Sequence, residues 1–269
     1  MERLPTVSVI TVVLNAVAVI ERTLQSVVSQ DYPHLEYIVV DGGSTDGTEK
    51  LIGQYSHRIS RWVSEKDGGI YEAMNKGAAM ASGEWILFMN GGDVFAKSDV
   101  IARTFSGLAW KEADVIYGDG VICHEGYRIV ERAPDHITLT DGNGFSHQSS
   151  FMRTELQKQY GFDVTERIAA DYDLFLRLYK DGKVFRRADV VISEFFTGGF
   201  SNLPPGQTIR LRHRVYTKHF SRAWWILYLR LARLAAKNAA RGLIPAAAWE
   251  RLKRLRDRNR FLSDDSRPS

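Results

Sequence analysis

The sequence has a single cysteine, Cys123, among its 269 residues, so an internal disulfide is excluded. That usage fits a reducing compartment. No run of about 18 apolar residues occurs, which excludes a membrane-spanning helix by hydropathy. Met1–Pro5 has no charged and apolar leader, and Val7–Leu14 is too short for a signal core. We therefore expect no cleaved leader and interpret Val7–Leu14 as a strand.

Acidic residues are scarce in the C-terminal part of the chain. Residues 1–209 contain 20 Lys and Arg and 28 Asp and Glu, whereas residues 210–269 contain 16 and four. The net charge of +4 therefore combines an acidic body with a basic tail. Such asymmetry predicts two parts with different partners, and we place the boundary at Pro204–Pro205–Gly206, the best candidate for a linker.

Short apolar segments alternate with helix-like segments up to Asp93. The segments predict strands at Val7–Leu14, Glu36–Val40, Arg61–Ser64 and Glu84–Met89, and helices at Val19–Ser29, after Asp46 and at Ile70–Ala81. This alternation predicts an α/β fold with a Rossmann-like, mainly parallel sheet flanked by helices and a C-terminal helical extension.

The alternation is lost after Asp93, which predicts a mixed second half. Helices are expected at Val100–Ala109 and Tyr172–Lys180, strands at Val115–Tyr117, Val121–His124, Tyr127–Glu131 and Val184–Phe196, and an extended segment at Phe145–Met152. Glu125–Gly126 is expected to form a hairpin turn.

Two acidic loops follow predicted strands. Asp41 begins the loop Asp-Gly-Gly-Ser-Thr-Asp-Gly-Thr, and Asn90–Gly91–Gly92–Asp93 follows the fourth strand. Ligands of open α/β sheets bind at the carboxyl ends of the strands. Acidic loops there predict a phosphate-bearing ligand that is held through a metal ion.

This pattern resembles the family 2 glycosyltransferases, which have the A-type nucleotide-diphospho-sugar transferase fold, and within them the bacterial branch that builds polysaccharides and glycolipids. Six segments carry the resemblance in the family's order: Val7–Asn15, Glu36–Thr48, Ser64–Gly77, Gly83–Asp93, His147–Phe151 and Ala169–Leu174. The resemblance implies a catalytic domain at residues 1–205, with a nucleotide-sugar-binding half at 1–95 and an acceptor-binding half at 96–205. Residues 206–269 would be a basic amphipathic helical tail.

The activity implied is that of an inverting, metal-dependent glycosyltransferase of the hexosyltransferase type. It would move a sugar from a nucleotide-diphospho-sugar to a lipid-linked or glycan acceptor at the cytoplasmic face of the cell membrane, with Mg²⁺ or Mn²⁺ as cofactor. The alternative is a non-catalytic sugar-nucleotide-binding module or assembly partner. A nucleotidyltransferase is disfavoured because Val13–Ile20 has no basic, Gly-rich phosphate loop.

The resemblance assigns donor contacts to four residues: Asp41, Lys66, Asp67 and Asn75. Asp41 would bond the nucleobase or ribose. Asp41 and Asp67 could instead serve only as turn and cap residues. For Asp46, the turn and cap role is our interpretation. Leu14 stands where relatives often have Tyr, so an aromatic stack on the base would be missing.

Asp93 is the candidate metal ligand, because a carboxylate can hold a divalent ion that bridges the donor phosphates. Relatives usually carry Asp-x-Asp here, whereas this chain has Asn90 in place of the first carboxylate. An Asn could partly mimic contacts to ribose or to a metal-bound water. The alternative is a Gly-rich turn capped by Asp93.

Asp171 is the candidate base that deprotonates the acceptor hydroxyl, as the resemblance implies. It could instead be the N-cap of the following helix, and Asp173, which would point elsewhere on a helix, competes for the role. His147 matches a family position beside the donor sugar. It could contact the diphosphate, ligate the metal or make an ordinary hydrogen bond.

Two segments near the C-terminus complete the predictions. Thr197–Ser201 resembles a family loop near the acceptor, although its glycines could form an ordinary turn. The tail alternates an apolar face with a basic face, formed by Trp224, Trp225, Leu227, Tyr228, Leu231 and Leu234 and by Arg222, Arg230, Arg233, Lys237 and Arg241. This pattern predicts contact with an anionic membrane. Packing on the body or in a dimer is the alternative, and nucleic acid is disfavoured because no binding motif is present.

Overall fold

A computed structural model describes residues 3–107, 109–124, 127–141, 144–166, 168–196 and 205–220, together with 229, 232 and 236. The strands are β1 (Val7–Val13), β2 (Leu35–Asp41), β3 (Arg61–Ser64), β4 (Trp85–Phe88), β5 (Val94–Phe95), β6 (Val115–His124), β7 (Tyr127–Glu131), β8 (Ser150–Arg153) and β9 (Phe185–Phe196). The helices are α1 (Ile20–Val28), α2 (Thr48–Gln54), α3 (Ile70–Met80), α4 (Val100–Thr104), α5 (Thr154–Tyr160), α6 (Ala170–Lys180) and α7 (Pro205–His219).

Within the described residues, the nine strands form one sheet in the order β3-β2-β1-β4-β8-β6-β9-β5, with β7 paired to β6. β1 pairs in parallel with β2 and β4, and β2 pairs in parallel with β3. β8 runs antiparallel to β4 and β6 and thereby joins the two halves. The sheet is mixed, parallel among β1 to β4 and flanked by helices, which confirms the α/β architecture that the sequence predicted.

Alternate residues of β1 contribute to two separate cores, one on each face of the sheet. Val9 packs with residues of α1 and α4, whereas its neighbour Ile10 packs with residues of α3 and α6. All seven residues of β1 are buried, which explains why the strand is an almost continuous β-branched run. The parallel pairing brings the carboxyl ends of β1, β2 and β4 to one edge, where the acidic loops begin.

The first half of the chain follows the predicted elements closely, and β3 has the predicted bounds. In the second half, α4 ends at Thr104 rather than Ala109. β6 is one strand where two were predicted, because a bulge between Tyr117 and Gly120 lets it continue beside β9. Gly118 is required there, since a Cβ on it would lie 2.5 Å from the carbonyl oxygen of Val190.

Two other predictions were partly wrong. The segment predicted as extended from Phe145 to Met152 contains a 3₁₀ turn at His147–Ser149 before β8 begins. The predicted linker is not a linker in its described part, because Pro205 and Gly206 form the first turn of α7. β6 and β7 pair as the predicted hairpin up to His124 and Tyr127, and the turn itself lies outside the described residues.

α7 is held on the rest of the chain by ion pairs. Arg214 and Lys218 both bond to Glu166, which is 3% exposed, and Nε2 of His219 lies 2.8 Å from Oδ1 of Asp173. The described start of the predicted tail, α7, therefore packs on the rest of the chain. The Trp- and Arg-rich segment beyond it and the Thr197–Ser201 loop lie outside the described residues. No helix in the described part of the chain is long and apolar enough to cross a bilayer.

Candidate active site

Asp41 lies at the end of β2 and is completely buried. Its Oδ2 accepts hydrogen bonds from the Ser44 backbone N–H at 2.9 Å and from the Ser64 hydroxyl at 2.6 Å, and Oδ1 accepts from the Ser44 hydroxyl. The carboxylate thus holds the loop after β2 against the end of β3. Its contact with a nucleotide stays a prediction, and the geometry gives it a positioning role.

The same loop is bonded to the end of β1. Asn15 has a positive φ of 49°, its Oδ1 accepts from the Thr45 N–H at 2.9 Å, and its own N–H donates to the Ser44 hydroxyl at 2.7 Å. Asp46 accepts hydrogen bonds from the N–H groups of Val17 and Thr48, at 3.0 Å each, and so holds the turn before α2. It is a turn residue as predicted, but the N-cap of α2 is Gly47.

Lys66 and Asp67 lie against this loop. A Cβ on Gly42 would lie 2.8 Å from Oδ2 of Asp67 and 3.4 Å from Cδ1 of Leu14, so Asp67 and Leu14 both pack against Gly42. A Cβ on the next residue, Gly43, would lie 3.3 Å from the backbone nitrogen of Lys66. Leu14 is 57% exposed, which leaves an apolar surface at the position where relatives often carry an aromatic ring. Asp67 Oδ1 accepts from the Gly69 N–H at 2.9 Å, just before α3.

The side chain of Asn75 bonds to the backbone of Phe162. Its Nδ2 donates to the carbonyl of Phe162 at 2.9 Å, and its Oδ1 accepts from the N–H of the same residue at 2.8 Å. The side chain therefore ties α3 to the chain beyond α5. The nucleotide contact that the resemblance implies for Asn75 stays a prediction.

Three side chains from distant segments form a hydrogen-bonded chain at the end of β4. Nδ2 of Asn90 lies 3.0 Å from Nε2 of His147, and Nδ1 of His147 lies 3.5 Å from Oδ2 of Asp171. Since an amide N–H can only donate, His147 accepts through Nε2 and carries its hydrogen on Nδ1, facing the carboxylate. The 3₁₀ turn at His147–Ser149 places the imidazole between the other two groups.

Asp171 lies in the first turn of α6, and the N-cap is Ala169. The cap alternative is therefore wrong. Burial favours a raised pKa for Asp171, but the hydrogen bonds from His147 and from the N–H of Tyr172 and the charge of Arg212 favour the ionised form, and the pKa lies below its ordinary value. The side chain is 28% exposed, so an ionised carboxylate is accessible to a ligand.

Asp173 points away from the hydrogen-bonded side chains of His147 and Asp171, as the sequence predicted. It is 2% exposed and accepts hydrogen bonds from Nε of Arg177 at 2.7 Å and from His219. Asp173 therefore anchors α7 rather than facing the site.

Asp93 accepts a hydrogen bond from Nε2 of Gln148 at 2.9 Å. Burial raises the pKa of Asp93, and the Gln148 hydrogen bond and the charge of Arg22 oppose the rise only in part. Gly92 before it has a φ of +105°, a conformation that L side chains rarely adopt, and donates its N–H to the Thr23 hydroxyl at 2.9 Å. The loop is thus fixed with a poorly compensated carboxylate at its end.

The donor atoms fit a divalent cation that completes its coordination with substrate phosphates. Oδ1 of Asn90 is buried and has no hydrogen-bond partner, so an amide oxygen and the Asp93 carboxylate are both suitable oxygen ligands. The described residues contain no group of three or more His, Cys, Asp and Glu side chains that could hold a metal ion. One carboxylate plus phosphate oxygens is a common way of binding Mg²⁺.

Sequence reasoning missed two residues of the site. Gln148 bonds to Asp93, and its only signal was its place beside His147. Arg22 of α1 stacks its guanidinium 3.7 Å above the Phe196 ring and acts on Asp93 through its charge. No local pattern marks Arg22, because α1 and the end of β9 meet only in the folded chain.

Comparisons with known proteins agree with this architecture. The sequence model described as Glycosyl transferase family 2 matches residues 8–177. An uncharacterized glycosyltransferase of Mycobacterium tuberculosis is 37% identical over 64% of this chain and 68% of its own length. A PGL/p-HBAD biosynthesis glycosyltransferase of the same species is 31% identical over 74% of this chain and 80% of its own length.

Solved structures share the fold at lower identity. The mannosyltransferase PcManGT from Pyrobaculum calidifontis, in complex with GDP-Man and Mn²⁺, is 22% identical, with a TM-score of 0.62 over 93% of this chain and 80% of that one. S. aureus TarS in complex with UDP-GlcNAc is 18% identical, with a TM-score of 0.62 over 80% of this chain and 67% of that one.

Proposed function

The chain belongs to glycosyl transferase family 2 and is a glycosyltransferase, and on that premise we propose an inverting, metal-dependent transfer from a nucleotide-diphospho-sugar to an acceptor hydroxyl. The observation that carries the proposal is the chain of hydrogen bonds from Asn90 through His147 to Asp171. It sets a carboxylate base at one end and the loop of Asp93 at the other.

Asp171 is the base in this proposal. Its ionised carboxylate takes the proton of the acceptor hydroxyl while the acceptor oxygen attacks the anomeric carbon and the bond to the leaving diphosphate breaks. Attack opposite the leaving group inverts the anomeric centre without a covalent enzyme intermediate. His147 donates its Nδ1 hydrogen to Asp171 and so orients the carboxylate.

Asp93 and Asn90 are the residues that would hold the cation. A bound Mg²⁺ or Mn²⁺ neutralises negative charge on the departing diphosphate. PcManGT, whose solved structure contains GDP-Man and Mn²⁺, supports this assignment by likeness of fold. Leu14, Lys66 and Asp67 would contact the nucleoside beside the loop that Asp41 holds.

The acceptor is proposed to be lipid-linked or a glycan, in cell-surface polysaccharide or glycolipid synthesis. The relative named for PGL/p-HBAD biosynthesis supports this class. The basic tail supports a peripheral position at the cytoplasmic face of the membrane, with residues 1–205 as the catalytic domain and α7 as its connection to the tail.

The test combines donor binding with transfer. Nucleotide-diphospho-sugars are screened by thermal shift with and without Mn²⁺, because a ligand of the native state raises the melting temperature. Asp171→Asn should keep donor binding and lower turnover by roughly 10²–10⁴-fold. The exposed Asp31→Asn is the control. Near-normal turnover of Asp171→Asn would remove it as the base, whereas donor binding without transfer by the wild type would favour a non-catalytic module.

A further inference from the structure

A cavity in the second half of the chain has none of Asn90, His147 and Asp171 in its lining. Its volume is about 620 Å³, within the range of roughly 300–1,000 Å³ that is typical of small-ligand sites. Its lining includes two aromatic residues, a histidine and three arginines, namely Tyr117, Phe185, His136, Arg132, Arg186 and Arg187. Asp135 is the one carboxylate of the lining, so the cavity is positive although residues 1–209 carry a net charge of −8.

The three arginines of the lining differ in their ion-pair partners. Nη2 of Arg187 donates to Asp119 at 2.7 Å, and Nη2 of Arg186 lies 3.8 Å from Glu112, which is 83% exposed. Arg132 has no ion-pair partner among the residues that the structure describes. Two guanidinium groups are therefore available to an incoming anion, and their planar forks match the two oxygens of a carboxylate or phosphate.

The aromatic side of the cavity is rigid. The His136 ring stacks on Phe185 with centroids 5.5 Å apart and planes at 5°, and the His136 N–H donates to the Tyr117 hydroxyl at 3.1 Å. Both Tyr117 and Phe185 are buried below the cavity. A flat, partly apolar wall next to the guanidinium groups of Arg132 and Arg186 suits a sugar ring that carries an oxyanion.

Two hydrogen bonds connect this cavity to the neighbours of the proposed catalytic residues. Asp119, the partner of Arg187, accepts from the Ser149 hydroxyl through its backbone carbonyl at 3.3 Å, and Ser149 lies in the 3₁₀ turn of His147. The Tyr172 hydroxyl donates at 2.7 Å to the carbonyl of Leu139, in the same 3₁₀ segment as His136. The cavity thus belongs to the half of the chain to which the acceptor is assigned.

We infer that this cavity binds an oxyanion, a phosphate or a carboxylate, carried by a sugar of the acceptor. The identification of the ligand as acceptor rests on the proposed function, whereas the anion site rests on the cavity itself. Charge-assisted hydrogen bonds to Arg132 and Arg186 would hold the oxyanion, and the wall of His136 and Phe185 would contact the ring.

The experiment compares three sugars that differ in their charged group: glucose 1-phosphate, glucuronate and glucose. Binding to the full chain is measured by saturation-transfer NMR in the presence of excess UDP, which occupies a donor site. At least one of the two anionic sugars should bind about tenfold more tightly than glucose, as charge-assisted hydrogen bonds imply. Which anion binds identifies the source as phosphate or carboxylate.

Arg132→Gln combined with Arg186→Gln should abolish the preference, whereas Arg103→Gln, an exposed arginine of α4, should keep it. Both mutated arginines are exposed, and circular dichroism melting checks that the variant folds. An anionic preference that survives the double substitution, or none in the wild type, overturns the inference. A wild type that binds no nucleotide-diphospho-sugar but keeps an Arg132- and Arg186-dependent preference refutes the proposed function and retains the anion site.

Discussion

Glu36 offers a sharp test of how the sheet is held together at the end opposite the site. Its carboxylate is largely buried and accepts hydrogen bonds from the Ser8 hydroxyl at 2.6 Å, from the N–H and hydroxyl of Ser82 at 2.7 Å each, and from the Gly83 N–H at 3.3 Å. One side chain thus joins β1, β2 and the turn between α3 and β4.

Two substitutions at Glu36 should differ in their effect on stability. Glu36→Gln keeps one oxygen for Ser8, Ser82 and Gly83 and loses the charge, which should lower the free energy of unfolding by about 1–2 kcal/mol. Glu36→Ala removes the acceptor of the Ser82 N–H and of the Ser8 and Ser82 hydroxyls, whereas the Gly83 N–H keeps the Ser8 hydroxyl at 2.9 Å. This substitution should lower the free energy of unfolding by about 2–4 kcal/mol, since a hydrogen bond to a charged group contributes about 1.5–3 kcal/mol.

The pH dependence has a definite sign. Burial favours a raised pKa for Glu36, but the bonds from Ser8, Ser82 and Gly83 outweigh it and lower the pKa below its ordinary value. The carboxylate therefore contributes stability above the ordinary Glu pKa of about 4.3, and the contribution disappears as the pH falls through the lowered pKa. The difference between wild type and Glu36→Gln should be constant above about pH 5.5 and shrink at lower pH.

Urea unfolding between pH 3 and pH 8 measures these differences, with Glu49→Gln on the exposed face of α2 as the control for loss of a charge. Donor binding by Glu36→Gln should equal that of the wild type, because the site lies at the other end of β2. A Glu36→Gln protein as stable as the wild type at pH 7, or a difference that persists at pH 3, would show that the four hydrogen bonds do not stabilise the sheet.

Three further outcomes are expected. Asp93→Ala should lose metal-dependent donor binding while keeping its fold, and calorimetry that finds equal nucleotide affinity with and without Mn²⁺ in both proteins would contradict this. Gly77→Ala places a Cβ 2.5 Å from Cγ2 of Ile10, so α3 must shift; chemical unfolding should show a loss of about 1–2 kcal/mol, less if the helix preference of Ala compensates. Truncation after Phe220 keeps α7 but removes residues 221–269, which hold 12 Lys and Arg and four Asp and Glu, and should abolish salt-sensitive sedimentation with anionic vesicles; equal sedimentation of both proteins would refute membrane contact.

The sequence predicted the first half of the fold because its signals are local. β3 has the predicted bounds, and β1 was recognisable from its continuous β-branched run. The second half depends on pairings between distant segments. The sequence predicted two strands, Val115–Tyr117 and Val121–His124, and only the pairing with β9 shows that they are one strand with a bulge between them.

The candidate site divides in the same way. Resemblance to a family brought together Asn90, His147 and Asp171, and the structure places them in one hydrogen-bonded chain. The resemblance could not reveal that the Asp41 carboxylate accepts hydrogen bonds from two serines or that Asn75 bonds to the backbone of Phe162. These partners depend on how the loops pack in the folded chain. The resemblance predicts which residues lie near one another. The hydrogen bonds in the structure determine which of their polar atoms remain available to a ligand.

The bond between Asn90 and His147 restricts how this chain can vary. An ionised Asp at position 90 would have no N–H for Nε2 of His147, so a neutral imidazole would have to turn its hydrogen toward residue 90. Its Nδ1 lone pair would then face Asp171, and two acceptors would meet unless the ring took up a second proton. The amide at position 90 therefore sets which ring nitrogen of His147 carries the hydrogen that faces Asp171.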